Sequence, residues 1–170
     1  MRKRVIKLYA NYEKEEVWLN QMAANGWHCI DYVLGRYTFE KGEPGAYIYR
    51  LQILDSFPGH QDSSEYLEFL AEAGIEHFAS HGRWVYLRKK SENGPFELFS
   101  DRESRIEHYR KIIMMLLPLA LLNLSFGLGL LGHFMPINTL NLVAAVLLAT
   151  PLISYYRRIL DLRKEGHVRE

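Results

Sequence analysis

Residues 112–156 read IIMMLLPLALLNLSFGLGLLGHFMPINTLNLVAAVLLATPLISYY and carry no Asp, Glu, Lys or Arg. The run divides at residues 132–138, GHFMPIN, into two halves, each about the 20 residues that a helix needs to cross a bilayer. It therefore predicts a hairpin of two transmembrane helices, at about residues 112–132 and 137–156, attached to a cytosolic domain made of everything before it. The alternative is a pair of helices buried in a soluble core.

Basic residues flank both ends of this run. Arg110 and Lys111 precede it, Arg157 and Arg158 follow it, and the connecting loop has no Lys or Arg. Because positive charge gathers on the cytoplasmic side of membrane proteins, this pattern predicts a multi-pass protein of the cell membrane with both termini, including the basic tail at 157–170, in the cytoplasm. The flanking residues are also suited to contact anionic membrane lipid.

The composition excludes several classes of protein. The formal net charge is only +1 over 170 residues, so no basic field calls for direct binding of nucleic acid. Cys29 is the only cysteine, which rules out an intramolecular disulfide and fits a reducing compartment. The start of the chain is basic, but no long apolar run follows before Asn11, so we do not expect a secretory signal there.

Residues 1–90 alternate strand and helix patterns. Asn11 and Asp62 are placed to begin two helices, and Gly26 and Gly74 to end them. Glu13, Glu15 and Glu16 are expected to form a solvated, acidic helix start. Runs rich in β-branched and aromatic residues predict strand segments at residues 5–9, 27–34, 36–41, 47–54, 75–80 and 84–89.

This order contains an internal repeat. Gly35-Arg36-Tyr37 corresponds to Gly82-Arg83-Trp84, and the two helices carry matching apolar positions. Each unit is a strand, a helix and a strand pair bent at Gly-Arg, which together predict a β-α-β-β-α-β order. We therefore expect an α+β, ferredoxin-like split plait at residues 1–90, with one antiparallel sheet and two helices on one face. A linker and juxtamembrane helix are expected at residues 91–111.

No catalytic or cofactor motif stands out. The chain has no Gly-rich phosphate loop and no H-E-x-x-H, C-x-x-C or G-x-S-x-G. His77 and His81 would share a strand face, but two His without a third ligand do not predict a zinc site. His28 and Cys29 are adjacent on a strand and point to opposite faces, so they cannot form a catalytic dyad. We expect no enzymatic activity, metal or cofactor.

Aromatic side chains concentrate on the strands instead. A plait leaves one sheet face uncovered by its helices, and an exposed aromatic face is typical of an interface. Arginines at the two Gly-Arg bends could bind an anion there, or could simply cover aromatic surface. The predicted interaction surface consists of Trp27, Arg36, Tyr37, Tyr47, Tyr49, Arg50, Arg83, Trp84 and Tyr86.

Three segments resemble a known family: EEVWLNQMAANGWH at 15–28, GRYTFEKGEPG at 35–45 and YIYRL at 47–51. The resemblance is to the uncharacterised bacterial family called domain of unknown function 2812, and it is carried by Trp18-Leu19, Gly26-Trp27, Phe39 and Tyr49-Arg50. It implies a membrane protein that is often encoded beside PadR-like transcription regulators. It implies no activity, substrate or catalytic residue.

The sequence thus favours a membrane-anchored binding or regulatory module. Its plait domain would act as an adaptor for a protein partner, which could be a PadR-like transcription regulator, or would bind a second copy of itself. The alternative is a sensor of envelope stress or of a small molecule, in which the plait domain binds a ligand.

Overall fold

The computed structural model describes residues 1–130 and 137–167 of the chain. The chain divides into two compact units, Met1–Leu98 and Phe99–Glu170. The expected loop at residues 132–136 and the end of the tail at 168–170 lie outside the described residues.

The first unit is an α+β fold. The predicted strand and helix segments are all present, but their order is β-α-β-β-β-α-β-β and not the expected β-α-β-β-α-β, because each strand pair expected to bend at Gly-Arg is two separate strands. The elements are β1 Arg2–Ile6, α1 Tyr12–Ala24, β2 Trp27–Val33, β3 Arg36–Lys41, β4 Tyr47–Ile53, α2 Gln61–Glu72, β5 Ile75–His81 and β6 Trp84–Lys90, followed by a single 3-10 turn at Ser91–Asn93.

The strands form two antiparallel sheets of three strands each. The first sheet has the order β1-β3-β2 and the second has the order β4-β6-β5. Each sheet is built by one strand-helix-strand-strand segment, and we call these segments the first repeat (residues 2–41) and the second repeat (residues 47–90). The single ferredoxin-like plait is not confirmed. The chain reverses at each glycine bend, so the strands on its two sides pair with each other and close the sheet of their own repeat.

A β-bulge occurs at the same point in each repeat. The pairing of β2 with β3 shifts between Cys29 and Asp31, and that of β5 with β6 shifts between His77 and Ala79. One extra residue turns the following side chains to the other face of the sheet. His77 pairs with Leu87 whereas His81 pairs with Trp84, so these two histidines lie on opposite faces and the shared face expected from the sequence is wrong.

The hairpin of the first repeat turns at Leu34-Gly35, because Val33 pairs with Arg36. Leu34 and Gly35 have φ values of 46 and 77. Positive φ at both loop residues is the signature of a type I′ turn, whose twist matches that of paired strands.

The hairpin of the second repeat turns at Gly82-Arg83, because His81 pairs with Trp84. Gly82 has a φ of 60 and takes the first loop position, which Leu34 occupies in the first repeat. Glycine therefore takes the second loop position in the first repeat and the first loop position in the second, so the two Gly-Arg pairs differ by one residue in their place in the turn. Arg36 begins a strand while Arg83 lies in a loop, so the expected equivalence of these bends is wrong.

A hydrophobic core lies between α2 and the second sheet. It consists of the buried residues Leu54, Leu70, Val85, Leu87 and Phe96. Phe96 is only 3% exposed, so the segment that follows β6 contributes a core side chain to the first unit.

The second unit holds α3 Arg102–Gly127 and α4 Ile137–His167. Both helices are long and apolar enough, by length and composition, to cross a membrane. They approach closely at Gly127, where an added Cβ would fall 2.6 Å from Leu142 Cδ2. The Asn138 Nδ2 atom donates to the carbonyl oxygen of Phe126 at 2.7 Å and ties the same ends together.

Candidate functional site

Three of the tyrosines expected on an exposed face are buried. Tyr37, Tyr49 and Tyr86 are 1%, 0% and 3% exposed, so their predicted place on an accessible interaction surface is wrong. The physical reason is that α1 packs against strands of both sheets and covers the faces that carry these rings.

The buried rings converge on one carboxylate. Glu15 Oε1 accepts hydrogen bonds from the hydroxyl groups of Tyr37 at 2.6 Å and Tyr86 at 2.8 Å. The Tyr32 ring stacks on Tyr86, with centroids 4.3 Å apart, and lies 4.8 Å from Tyr37. We call Glu15, Tyr32, Tyr37 and Tyr86 the carboxyl–tyrosine cluster. Burial raises the pKa of Glu15, and the two tyrosine hydrogen bonds oppose that shift without cancelling it.

Side chains further along α1 form hydrogen bonds with backbone groups at the edge of the second sheet. Asn20 Oδ1 accepts from the Tyr49 amide at 2.9 Å, and Asn20 Nδ2 donates to the Tyr49 carbonyl at 3.1 Å. Glu16 Oε1 accepts from the Leu51 amide at 2.7 Å. Side chains four positions apart on a helix lie on one face, so Glu16 and Asn20 meet successive backbone groups of β4, which is an edge strand.

The sequence did not predict these hydrogen-bonding roles. The sequence predicted that Glu15 and Glu16 belong to a solvated helix start. Instead, both carboxylates accept hydrogen bonds inside the fold. A signal was present in the spacing, since Glu15, Leu19 and Ala23 recur every four residues and are all buried. A carboxylate in line with an apolar stripe indicates a buried, hydrogen-bonded acid.

Arg88 is a second residue that the sequence reading missed. Its guanidinium forms two hydrogen bonds with Glu76, at 2.8 and 2.7 Å, and donates to the Cys29 carbonyl at 3.2 Å. It also lies 4.6 Å from the ring centroid of Tyr47 and 5.6 Å from that of Phe78. Arg88 therefore joins β6 to the β5 strand beside it and to β2 of the other repeat.

Trp27 and Trp84, the two tryptophans of the predicted interaction surface, are half-buried and have local contacts. Trp27 lies between two lysines, with Lys3 Nζ 4.1 Å and Lys41 Nζ 5.1 Å from its ring centroid. The Trp84 ring is 5.5 Å from that of Tyr12. These contacts are on different sheets, so the two tryptophans do not form one aromatic face.

The predicted arginines are also dispersed. Arg83 donates to the Asp55 carbonyl at 3.0 Å, and Arg50 donates to the carbonyl of its neighbour Tyr49 at 2.9 Å. Arg36, at the tip of the first hairpin, is exposed. The structure therefore does not bring the nine predicted residues together in one surface.

Comparison with known proteins places these features in a family. A family model described as "Protein of unknown function (DUF2812)" matches residues 11–121. This chain belongs to the DUF2812 family. The matched segment begins at the N-cap of α1 and ends within α3. No curated protein and no solved structure matches the chain.

The basic residues of the DUF2812 chain that flank the apolar run lie on α3 and α4. Arg110 Nη1 is 3.6 Å from Glu107 Oε2. Arg157 and Arg158 are exposed, and Lys111 is half-buried. Among residues 1–130 and 137–167, no group of three or more His, Cys, Asp and Glu side chains is arranged to hold a metal ion.

Proposed function

We propose that this DUF2812 chain is a membrane-anchored binding module, in which α3 and α4 lie in the cell membrane and Met1–Leu98 binds a protein partner in the cytoplasm. The observation that carries the proposal is the outer surface of the two helices. Although α3 and α4 pack together, many of their apolar side chains stay exposed, including Met114, Leu117, Leu121, Leu122, Leu140, Val143, Val146 and Leu147. Soluble monomers rarely expose apolar area on this scale, whereas lipid covers it without cost.

Anchoring and orientation are tested by accessibility in intact cells. Cys29 is first replaced by Ser, and single cysteines are introduced by Ser100→Cys and His133→Cys. A membrane-impermeant thiol reagent should label the His133→Cys protein in intact cells and the Ser100→Cys protein only after permeabilisation. Release of the wild-type chain by alkaline carbonate, or labelling of both positions in intact cells, would contradict the proposal.

The partner is proposed to be a regulatory protein, for which a PadR-like transcription regulator is one candidate, or a second copy of the chain. This proposal is supported by the family resemblance alone, and the absence of enzymatic activity likewise stays a prediction. In-cell cross-linking of the full-length chain with mass spectrometry of the captured proteins is the test. Arg83→Glu changes a predicted surface residue, and Lys14→Glu on α1 is a charge-matched control.

Three outcomes of this experiment distinguish an adaptor, a homo-oligomer and a chain that binds no protein. Capture of a regulator that Arg83→Glu reduces and Lys14→Glu leaves intact supports an adaptor. Capture of the chain alone indicates a homo-oligomer. Absence of any reproducible protein contact overturns the binding proposal.

A sensor is the second candidate, favoured by the carboxyl–tyrosine cluster. Hydroxyl and carboxylate groups converge there between the two repeats, and a ligand could replace these polar contacts. The test is the thermal stability of the full chain in detergent against panels of metabolites and lipids. Tryptophan fluorescence reports on the first unit, because Trp18, Trp27 and Trp84 are the chain's three tryptophans. No shift with any compound would count against a sensor.

A further inference from the structure

The hairpin tip of the first repeat carries four exposed aliphatic side chains. Ile6, Leu8, Val33 and Leu34 are 80%, 82%, 45% and 70% exposed. We call them the tip patch. Ile6 ends β1 and Leu8 follows it, while Val33 ends β2 and Leu34 lies in the turn to β3. Chain segments distant in sequence therefore contribute to one apolar surface.

Strand pairing brings these side chains together. Ile6 and Val33 both pair with Arg36, from opposite sides of β3. Residues directly opposite one another in a sheet point to the same face, so Ile6, Val33 and Arg36 share one face. Leu8 lies over the turn, since a Cβ on Gly35 would fall 2.5 Å from Leu8 Cδ2.

Leu34 has a backbone conformation that is unusual for an exposed leucine. Its φ of 46 lies in the left-handed region, and it is the one non-glycine residue with positive φ among those described. This region is unfavourable for L side chains and suits Gly, Asn or Asp. The second repeat makes its turn with Gly82 at the same loop position and with Arg83 after it. A strained, exposed leucine in place of a glycine points to a use for the side chain.

The charged residues on the face of the tip patch bear on the kind of partner that it fits. Arg4 and Arg36 are exposed on this face. The acidic residues of the face are Glu40, which is paired with Arg2 at 3.5 Å, and the half-buried Asp31, which lies across β3 from Arg4. Lys7 is exposed nearby, but its Nζ lies 4.9 Å and 4.8 Å from the ring centroids of Tyr9 and Trp18. Exposed aliphatic side chains beside Arg4 and Arg36 fit the boundary between anionic lipid headgroups and acyl chains. Edge-strand charges oppose pairing with a second copy, and the tip patch lacks the aromatic side chains that are enriched in protein interfaces.

From these observations we infer that the tip patch docks on the surface of an anionic membrane, with Leu34 and Leu8 inserted at the headgroup boundary and Arg4 and Arg36 on lipid phosphates. The inference rests on the proposed function in one respect: the anchor keeps a bilayer within reach. Docking would hold the first unit against the membrane. The hairpin of the second repeat, which turns at Gly82-Arg83, serves as the control within the same chain.

The test uses the full chain in nanodiscs, with Cys29 replaced by Ser. An environment-sensitive fluorophore is attached at Val33→Cys, and at Arg83→Cys as the matched control on the other hairpin. Nanodiscs contain phosphatidylcholine alone or with phosphatidylglycerol. We expect a blue shift and protection from acrylamide at Val33→Cys in anionic nanodiscs only, reversed by high salt, and neither effect at Arg83→Cys.

Two further variants separate docking from folding. Leu34→Asn removes the apolar side chain but suits a positive φ, so it should keep or raise the thermal stability while abolishing most of the protection. Leu8→Asn should reduce protection without any gain in stability. Equal behaviour of the two hairpins, or protection that does not depend on anionic lipid, would overturn the inference.

Failure of the proposed membrane anchor can be distinguished from failure of the tip patch to dock. A chain that does not enter nanodiscs contradicts the proposed function, and vesicles of the same two compositions then test the tip patch by itself. Binding to anionic vesicles that Leu34→Asn weakens would support the tip patch without the anchor. Protection that grows with protein concentration in lipid-free detergent would assign the tip patch to a second copy and overturn the membrane inference.

Discussion

The Glu15 carboxylate on α1 and the Tyr86 hydroxyl on β6 are joined by a hydrogen bond of 2.8 Å, although the two residues lie 71 positions apart in the chain. The same carboxylate oxygen accepts from Tyr37 of the first repeat. A single buried group therefore links the two repeats. Any change at Glu15 should act on the folding of the whole first unit.

Replacement of Glu15 by Ala should destabilise the first unit strongly. The change leaves the buried hydroxyl groups of Tyr37 and Tyr86 without this acceptor, at about 1–3 kcal/mol for each hydroxyl. Chemical unfolding of the full chain in detergent, followed by tryptophan fluorescence, measures the loss. Glu68→Gln, an exposed change on α2, is the control and should have little effect. Equal stability of the Glu15→Ala chain and the wild type would show that the cluster does not hold the repeats together.

The stability should depend on pH through Glu16. Burial raises the pKa of this carboxyl from its ordinary value of 4.5 to about 7; the Leu51 amide and Arg50 lower it, while Glu13 and Glu15 raise it further. The folded state thus binds a proton more tightly than the unfolded state, so the contribution is fully present below pH 4.5 and is lost as the pH rises through about 7.

Glu16→Gln should weaken this dependence while keeping an acceptor for the Leu51 amide. Thermal unfolding of wild type and variant between about pH 4.5 and 7.5 is the measurement, and the difference between the two curves isolates Glu16 from other titrating groups. Some slope should remain in the variant, because the pKa of Glu15 is raised as well. Parallel curves would contradict the assignment.

Gly127 should be required for the packing of α3 on α4. A Cβ at this position would lie 2.6 Å from Leu142 Cδ2 and 3.0 Å from the Leu142 amide nitrogen. Gly127→Ala should therefore lower stability by roughly 1–3 kcal/mol through overpacking. Leu142→Ala in the same chain should restore part of the loss, because the side chain that meets the new Cβ is then shorter.

A double-mutant cycle in detergent, measured by thermal loss of circular dichroism, tests this coupling. Leu121→Ala, at an exposed position on the same helix, is the control and should not couple to Leu142→Ala. Additive effects of Gly127→Ala and Leu142→Ala would place the close approach elsewhere.

Cys29 should be inert in the folded protein. The side chain is fully buried, and burial raises the pKa of its thiol to about 12. Since the thiolate is the reactive form, a maleimide reagent should label Cys29 only after denaturation. A Ser100→Cys chain should react under native conditions and serves as the positive control. Rapid native labelling at Cys29 would show that β2 opens.

The approximate positions of the helices and strand segments could be predicted because their signals are local. Asn11 caps α1 through the Lys14 amide at 3.0 Å, as the sequence indicated, and Gly26 and Gly74 have the positive φ expected after helix ends. Such signals depend on residues a few positions apart. They require no knowledge of which strands pair.

Strand pairing and burial could not be predicted in the same way. The bulges in β2 and β5 reverse the alternation of side chains, so period-two reasoning placed His77 and His81 on one face. The tyrosines were expected to be accessible because a single plait has an open face. Their burial depends on α1 crossing to the second sheet, which is a long-range contact. Arg88 and Glu76 are cross-strand partners, and only the register reveals them.

The bonds from Glu16 and Asn20 to β4 have a consequence for synthesis. While a ribosome has delivered only the first repeat, the side chains of α1 that bond to β4 have no backbone partners, and Glu15 lacks the Tyr86 hydroxyl. The nascent chain must extend through β6 before all these polar groups are satisfied. We therefore expect Met1–Leu98 to fold as one cooperative unit, and a chain cut between the repeats should be recognised by cellular quality control as unfolded.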